Sequence, residues 1–120
     1  MKEQKVIGFI PPLVGLEGEF NTFRMSLALS KQLSIGEQVF LMNTKTQMIF
    51  GTAKVTRIET GILEELCARC AADNHSEIAM RDKQNSPKRL LELVTRIYGP
   101  HICQPTKKST VVYLKRTDNG

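Results

Sequence analysis

The sequence predicts an α+β domain of 120 residues, and three observations predict it: strand-length apolar runs near both ends, helical apolar stripes between them, and Gly, Pro and Asn punctuation at the joints. Length and composition agree. With 41% apolar and 24% charged residues the chain has ordinary globular usage, and its size matches one domain, expected over residues 1–120 with frayed ends at 1–4 and 117–120.

Residues 5 to 10 form an apolar run stopped by Pro11-Pro12, which cannot donate to a ladder, so they read as the opening strand. Residues 13 to 19 are a loop or one helical turn, and Phe20 to Met25 alternate as a second strand. Ser34-Ile35-Gly36-Glu37 is a turn. It leads into Val39-Phe40-Leu41-Met42, a strand expected to be buried on both faces. After a turn at 43 to 47, residues 48 to 59 form a long strand that places Ile49, Gly51, Ala53 and Val55 on one face and Lys54 and Thr56 on the other. The small residues on its inner face predict a tight bend.

From Thr60 the period changes. Thr60 reads as an N-cap, and Ile62, Leu63, Leu66, Cys67, Cys70 and Ala71 form one stripe of a helix ending near Asp73. Residues 74 to 85 are polar and expected to be mobile. Ser86-Pro87 starts a second helix whose stripe is Leu90, Leu91, Leu93, Val94, Ile97 and Tyr98, and Gly99-Pro100 ends it. Val111 to Leu114 is the last strand.

A formal charge of +5 favours a polyanionic partner, because Lys and Arg release condensed counterions when they neutralise phosphates. No run reaches the roughly 18 apolar residues of a spanning helix, and no secretory pattern opens the chain, so no membrane partner is expected. Three cysteines without an export signal fit a reduced, cytoplasmic setting. The patterns of P-loops, dinucleotide-binding turns, zinc proteases and nucleophile-elbow hydrolases are absent. Cys67-Ala-Arg-Cys70 with His75, His101 and Cys103 raises zinc ligation, but both members of the pair fall on a helical apolar stripe, so core packing is the expectation and no metal or cofactor is assigned.

Four segments, Asn21-Thr22-Phe23-Arg24, Ile35-Gly36-Glu37-Gln38-Val39, Gly51-Thr52-Ala53-Lys54-Val55-Thr56-Arg57-Ile58 and Thr110-Val111-Val112-Tyr113, give the chain a sequence that resembles the ASCH family of the PUA-like superfamily over residues 15 to 116. The resemblance implies a small bent β-barrel of five to six strands with two or three flanking helices and a cleft beside the motif loop. It also implies RNA binding, with some members hydrolysing acylated nucleosides or cutting RNA through a lysine, a threonine and a carboxylate. On this chain Thr22 matches the threonine, and Asp73 or Asn74 lies near the carboxylate's place. The lysine position falls at Glu19, which reverses the local field, so binding is placed above catalysis.

The resulting expectation is an RNA- or nucleotide-binding module, with DNA as a further polyanion. Its cleft uses Asn21 and Thr22 as hydrogen-bonding groups and Arg24 on phosphate, unless Arg24 merely pairs with Glu17 or Glu19. Lys45 and Lys54 are the nearest further candidates, ahead of a longer track through Arg57, Lys107, Lys108, Lys115 and Arg116. The rivals are a hydrolase or ribonuclease using Thr22 with Asp73 or His75, and a non-catalytic protein-interaction adaptor.

Overall fold

The computed structural model describes residues 5–104 and 106–118. Its strands are β1 (Lys5–Phe9), β2 (Glu19–Arg24), β3 (Gln38–Asn43), β4 (Met48–Ile62) and β5 (Lys108–Arg116). Its helices are α1 (Ala28–Gln32), α2 (Leu63–Cys70) and α3 (Ser86–Tyr98), and a 3₁₀ turn, Ala71–Asp73, follows α2. The strands form one mixed sheet in the order β1-β3-β4-β5-β2, parallel only between β1 and β3.

Strand β5 organises both cores, because successive side chains of a strand leave on opposite faces. Val111 and Tyr113 join Phe23 and Met25 under α2 and α3, against Leu63, Leu66, Cys67, Cys70, Leu90, Val94 and Cys103. Val112 and Leu114 enter the concave side, with Ile7, Phe9, Phe20, Val39, Leu41, Ala53 and Val55. Each fully buried Val, Leu, Ile or Phe among them, removed from water, contributes about 1.5 to 3 kcal/mol. The helical stripes predicted for α2 and α3 cover the first cluster, except that Ile62 belongs to β4 and Ile97 is exposed.

The sheet is bent, but it is not the closed barrel expected. No ladder joins β1 to β2 among the described residues. The seam between these edges is bridged by side chains instead: the Arg24 guanidinium crosses from β2 to the Gly8 carbonyl of β1 at 2.7 Å. Phe9 and Phe20 meet edge to face at 6.1 Å.

Other expectations are corrected by long-range partners. Bulges at Phe50 and Thr56 interrupt the alternation of β4, so Ile49 is exposed while Phe50 packs against the concave core. Phe40 and Met42 are only half-buried, unlike Val39 and Leu41. Thr60 does not cap α2. It pairs with Thr110 inside β4, which runs on to Ile62, and the Leu63 N–H bonds the Lys107 carbonyl. Ser86 lies inside α3 rather than at its cap, with its hydroxyl turned to Glu77 at 2.7 Å. The short α1 was not predicted; five residues show too little period to read.

The ends also differ. Residues 1–4, 119 and 120 lie outside the described residues, but Thr117 and Asp118 are tied down, the first by its N–H to the Thr52 carbonyl and the second by the Arg116 guanidinium at 2.7 Å. That guanidinium lies across Gly51, where an added Cβ would collide with it, so Gly51 is explained by this close approach.

Candidate functional site

The site is built where the open seam meets α3. Thr22 and Arg24 leave β2 on the same face, and the Thr22 hydroxyl accepts a hydrogen bond from Arg24 Nε at 3.2 Å. The other end of the guanidinium reaches the Gly8 carbonyl, and the group lies 5.2 Å from the Phe9 ring centre. No carboxylate lies within ion-pair distance of Arg24 among the described residues. Neither Glu17 nor Glu19 pairs with it. Burial pulls the Arg24 pKa down from its ordinary value, and the adjacent Tyr98 hydroxyl partly offsets this.

Asn21 is placed differently from the expectation. It is fully buried, donates to the Cys70 carbonyl at 2.8 Å, and receives the Asn74 side-chain amide at 3.2 Å on its own amide oxygen. The His75 N–H also bonds the Asn21 carbonyl. Asn21 is therefore the fastener that holds residues 74 and 75 against β2, not a donor to a ligand.

This fastening sets His75 beside the cavity. Its ring packs edge-on against Phe9 at 5.3 Å and Phe20 at 6.3 Å. Nδ1 lies 3.3 Å from the Val14 carbonyl, which only accepts, so Nδ1 carries the proton and Nε2 keeps a lone pair. The loop that brings Val14 there passes so close to the His75 backbone that a side chain at Gly15 would collide with it, and Gly15 also holds a positive φ of 66°. Burial pushes the imidazole pKa down to about 4, with the Arg24 charge acting in the same direction. His75 is neutral at pH 7.

Unfolded His75 titrates near pH 6.5, so between pH 6.5 and about 4 the unfolded chain binds more protons than the folded one and stability falls as pH falls. Discounted for its half-buried position, His75 contributes about 2 kcal/mol to this fall. Denaturant midpoints measured from pH 7 to 4.5 are expected to drop more steeply for the parent protein than for His75→Gln. Parallel profiles would refute the assignment.

Thr22, Arg24, Asn74, His75 and Tyr98 line one cavity of about 90 Å³, walled on its other side by Leu90, Leu93, Val94 and Ile97 of α3. That space suits one tetrahedral oxyanion or a few waters. Asp73, the sequence candidate for an acid or base, is not there. Its carboxylate accepts the Tyr113 hydroxyl at 3.0 Å and borders a separate depression with Glu19 and Lys83. Lys45, in the β3–β4 turn, and Lys54, on the exposed face of β4 opposite Lys115, are not brought to the Arg24 cavity.

The three cysteines pack in the core beneath α2 and α3. Burial and the neighbouring Cys70 and Cys103 thiols push the Cys67 pKa up to about 12. Among the described residues no group of three or more His, Cys, Asp or Glu side chains is arranged to hold a metal ion. No described helix is long and apolar enough to cross a membrane. Tyr98 was read from sequence only as part of the α3 stripe; its place at the last residue before Gly99, where the helix ends, was the available signal.

An uncompensated cation in a side-chain-bridged seam is thus the chemistry of this fold, and solved structures share the architecture. An ASCH mutant protein from Zymomonas mobilis is similar with a TM-score of 0.53 at 16% identity, over 95% of this chain and 70% of that one. The fold is ASCH-like. The ASCH protein from the same organism matches with a TM-score of 0.50 and 16% identity, over 92% of this chain and 65% of that one. No family model matches the sequence. No curated protein matches it either.

Proposed function

We propose that this ASCH-like chain is a nucleotide- or RNA-binding module that seats a phosphate against Arg24 in the seam. One observation carries the reading: a half-buried guanidinium, bonded among the described residues only to neutral oxygens, borders a cavity of about 90 Å³. Desolvating a cation without a counter-charge costs stability, and an entering anion recovers it through charge-assisted hydrogen bonds. His75, neutral beside it, offers Nε2 as an acceptor. The net charge of +5 supports the approach of such a ligand.

Calorimetric titration at low salt with nucleoside 5′-monophosphates and the matching nucleosides tests the proposal. The monophosphates are expected to bind and the nucleosides to bind at least about tenfold more weakly, as the loss of one charge-assisted contact implies. Equal affinities would refute it.

Hydrolysis is the second reading, supported by Thr22 and neutral His75 bordering the same cavity. Turnover of an acylated nucleoside or of labelled RNA, lost in Thr22→Ala, would favour it over binding alone.

A further inference from the structure

The convex side of the sheet is covered at one end only. On β5 the side chains of Val111 and Tyr113 lie under α2 and α3, and Lys115, two residues further on, leaves on the same side. Register carries that side across the sheet, since Lys115 pairs with Lys54 and Lys54 with Gln38. Phe40 and Met42 follow Gln38 by alternation, Phe40 between Val6 and Thr52, Met42 between Gly8 and Ile49. The cluster beneath α2 and α3 contains no residue of β1 or β3, so neither helix buries this half. Val6 and Ile49 are exposed, and Phe40 and Met42 are half-buried. Gly8 does not interrupt the strip, because methyl carbons of Thr44 and Met42 lie 2.6 and 3.7 Å from where its Cβ would sit.

We infer that this strip docks an acidic amphipathic helix of a partner protein. An apolar sheet face is ordinarily buried by a second layer, and the other half of the same side is buried in part by α3, a helix of 13 residues. The strip has the length for a similar cover, since Gln38 to Thr44 spans about 20 Å of strand, the rise of about 13 helical residues. Charge selects the partner. No acidic residue occurs from Gln38 to Ile58, whereas Lys54 and Lys115 stand at one end of the strip and Lys45 lies in the turn at the other. Glutamates flanking a helical apolar stripe meet cations at both ends. Two copies of this chain packed strip to strip would set like charges together, which argues against a second copy. A nucleic-acid backbone would neutralise the lysines but leave the apolar strip in water. Thr22 lies on the other side of the sheet, opposite Val112 of the concave core, so the inference is independent of the phosphate site.

The probe is a fluorescent synthetic peptide of about 16 residues, long enough to form a helix, with leucines at helical spacing on one face and glutamates on the other. Its controls are a scrambled peptide of the same composition, which keeps the charge but has no stripe, and a version with lysine in place of glutamate. The parent protein is expected to bind the striped acidic peptide at least about tenfold more tightly than either control, with NMR amide shifts centred on Val6, Phe40, Met42 and Ile49. The double variant Val6→Thr, Ile49→Thr changes two exposed strand positions and is expected to lose about tenfold in affinity. Circular dichroism checks its folding. Lys54→Glu gives an independent reading, with affinity expected to fall about fivefold at low salt and little at high salt. Equal binding of striped and scrambled peptides, unchanged affinity in the double variant, or self-association of the parent protein that the double variant abolishes would overturn the inference. Shifts confined to Arg24, Tyr98 and His75 would place the peptide carboxylates in the phosphate site and overturn it as well.

Discussion

Arg24→Gln is expected to lower affinity for a nucleoside monophosphate about 100-fold, the effect of losing a charge-assisted contact in a partly desolvated site. The same substitution is expected to leave unfolding free energy within about 1 kcal/mol of the parent or to raise it. The two expectations belong together. A guanidinium held by the Gly8 carbonyl, the Thr22 hydroxyl and the Phe9 face has no carboxylate to neutralise it among the described residues, so its removal relieves a buried charge. Were Arg24 there chiefly to bridge β1 and β2, the variant would instead unfold readily. Calorimetry and urea unfolding on one preparation separate these roles.

The second large effect concerns residues 74–85, which the sequence reading leaves mobile and the structure pins. Glu77 is buried, and its carboxylate takes both Arg89 Nη2 at 2.6 Å and the Ser86 hydroxyl at 2.7 Å. Its backbone carbonyl accepts Lys83, and Arg89 also approaches Asp82. Arg89 and Ser86 hold the Glu77 carboxyl below its usual range despite the opposing cost of burial. Glu77→Ala is expected to cost about 2 to 3 kcal/mol, because buried donors lose a charged partner. It should also raise hydrogen exchange at residues 74–80 and weaken anion binding indirectly, since His75 is positioned from this segment. Glu77→Gln, which keeps the size but not the charge, is expected to recover part of the stability. Unchanged exchange in Glu77→Ala would show that Asn21 and Asn74 alone hold the segment.

What was legible in the sequence was local. The continuous apolar run Val111 to Leu114 marks a strand, and the stripes of α2 and α3 follow from 3.6-residue spacing. Thr22 and Arg24 share a face by period alone. The misses are long-range. Ile49 turns outward because a bulge at Phe50 resets the period, and Thr60 stays in the sheet because Thr110 pairs with it. The polarity of residues 74–85 resembled that of a mobile loop because the partner of Glu77 stands twelve residues away. Asn21 was read as a ligand donor because its true partners, the Cys70 carbonyl and Asn74, are about fifty residues distant. Lys45 and Lys54 were chosen on charge, which has no position until a fold supplies one.

Strand content and the bend were readable, but closure was not, since it depends on whether two edges meet through backbone or side chains. Here Arg24 occupies the gap. A cation that completes the seam and lacks a counter-charge among the described residues is a structural bridge, and in the function proposed above it is also the group that receives the anion.

The most direct measurement of this claim follows the Arg24 side-chain Nε–H signal by NMR during titration with a nucleoside 5′-monophosphate at low salt. A saturating shift at Arg24, with Tyr98 and His75 moving in step and Lys45 and Lys54 nearly still, is the predicted result. Shifts centred on Lys54 and Lys115 with Arg24 unmoved would contradict it.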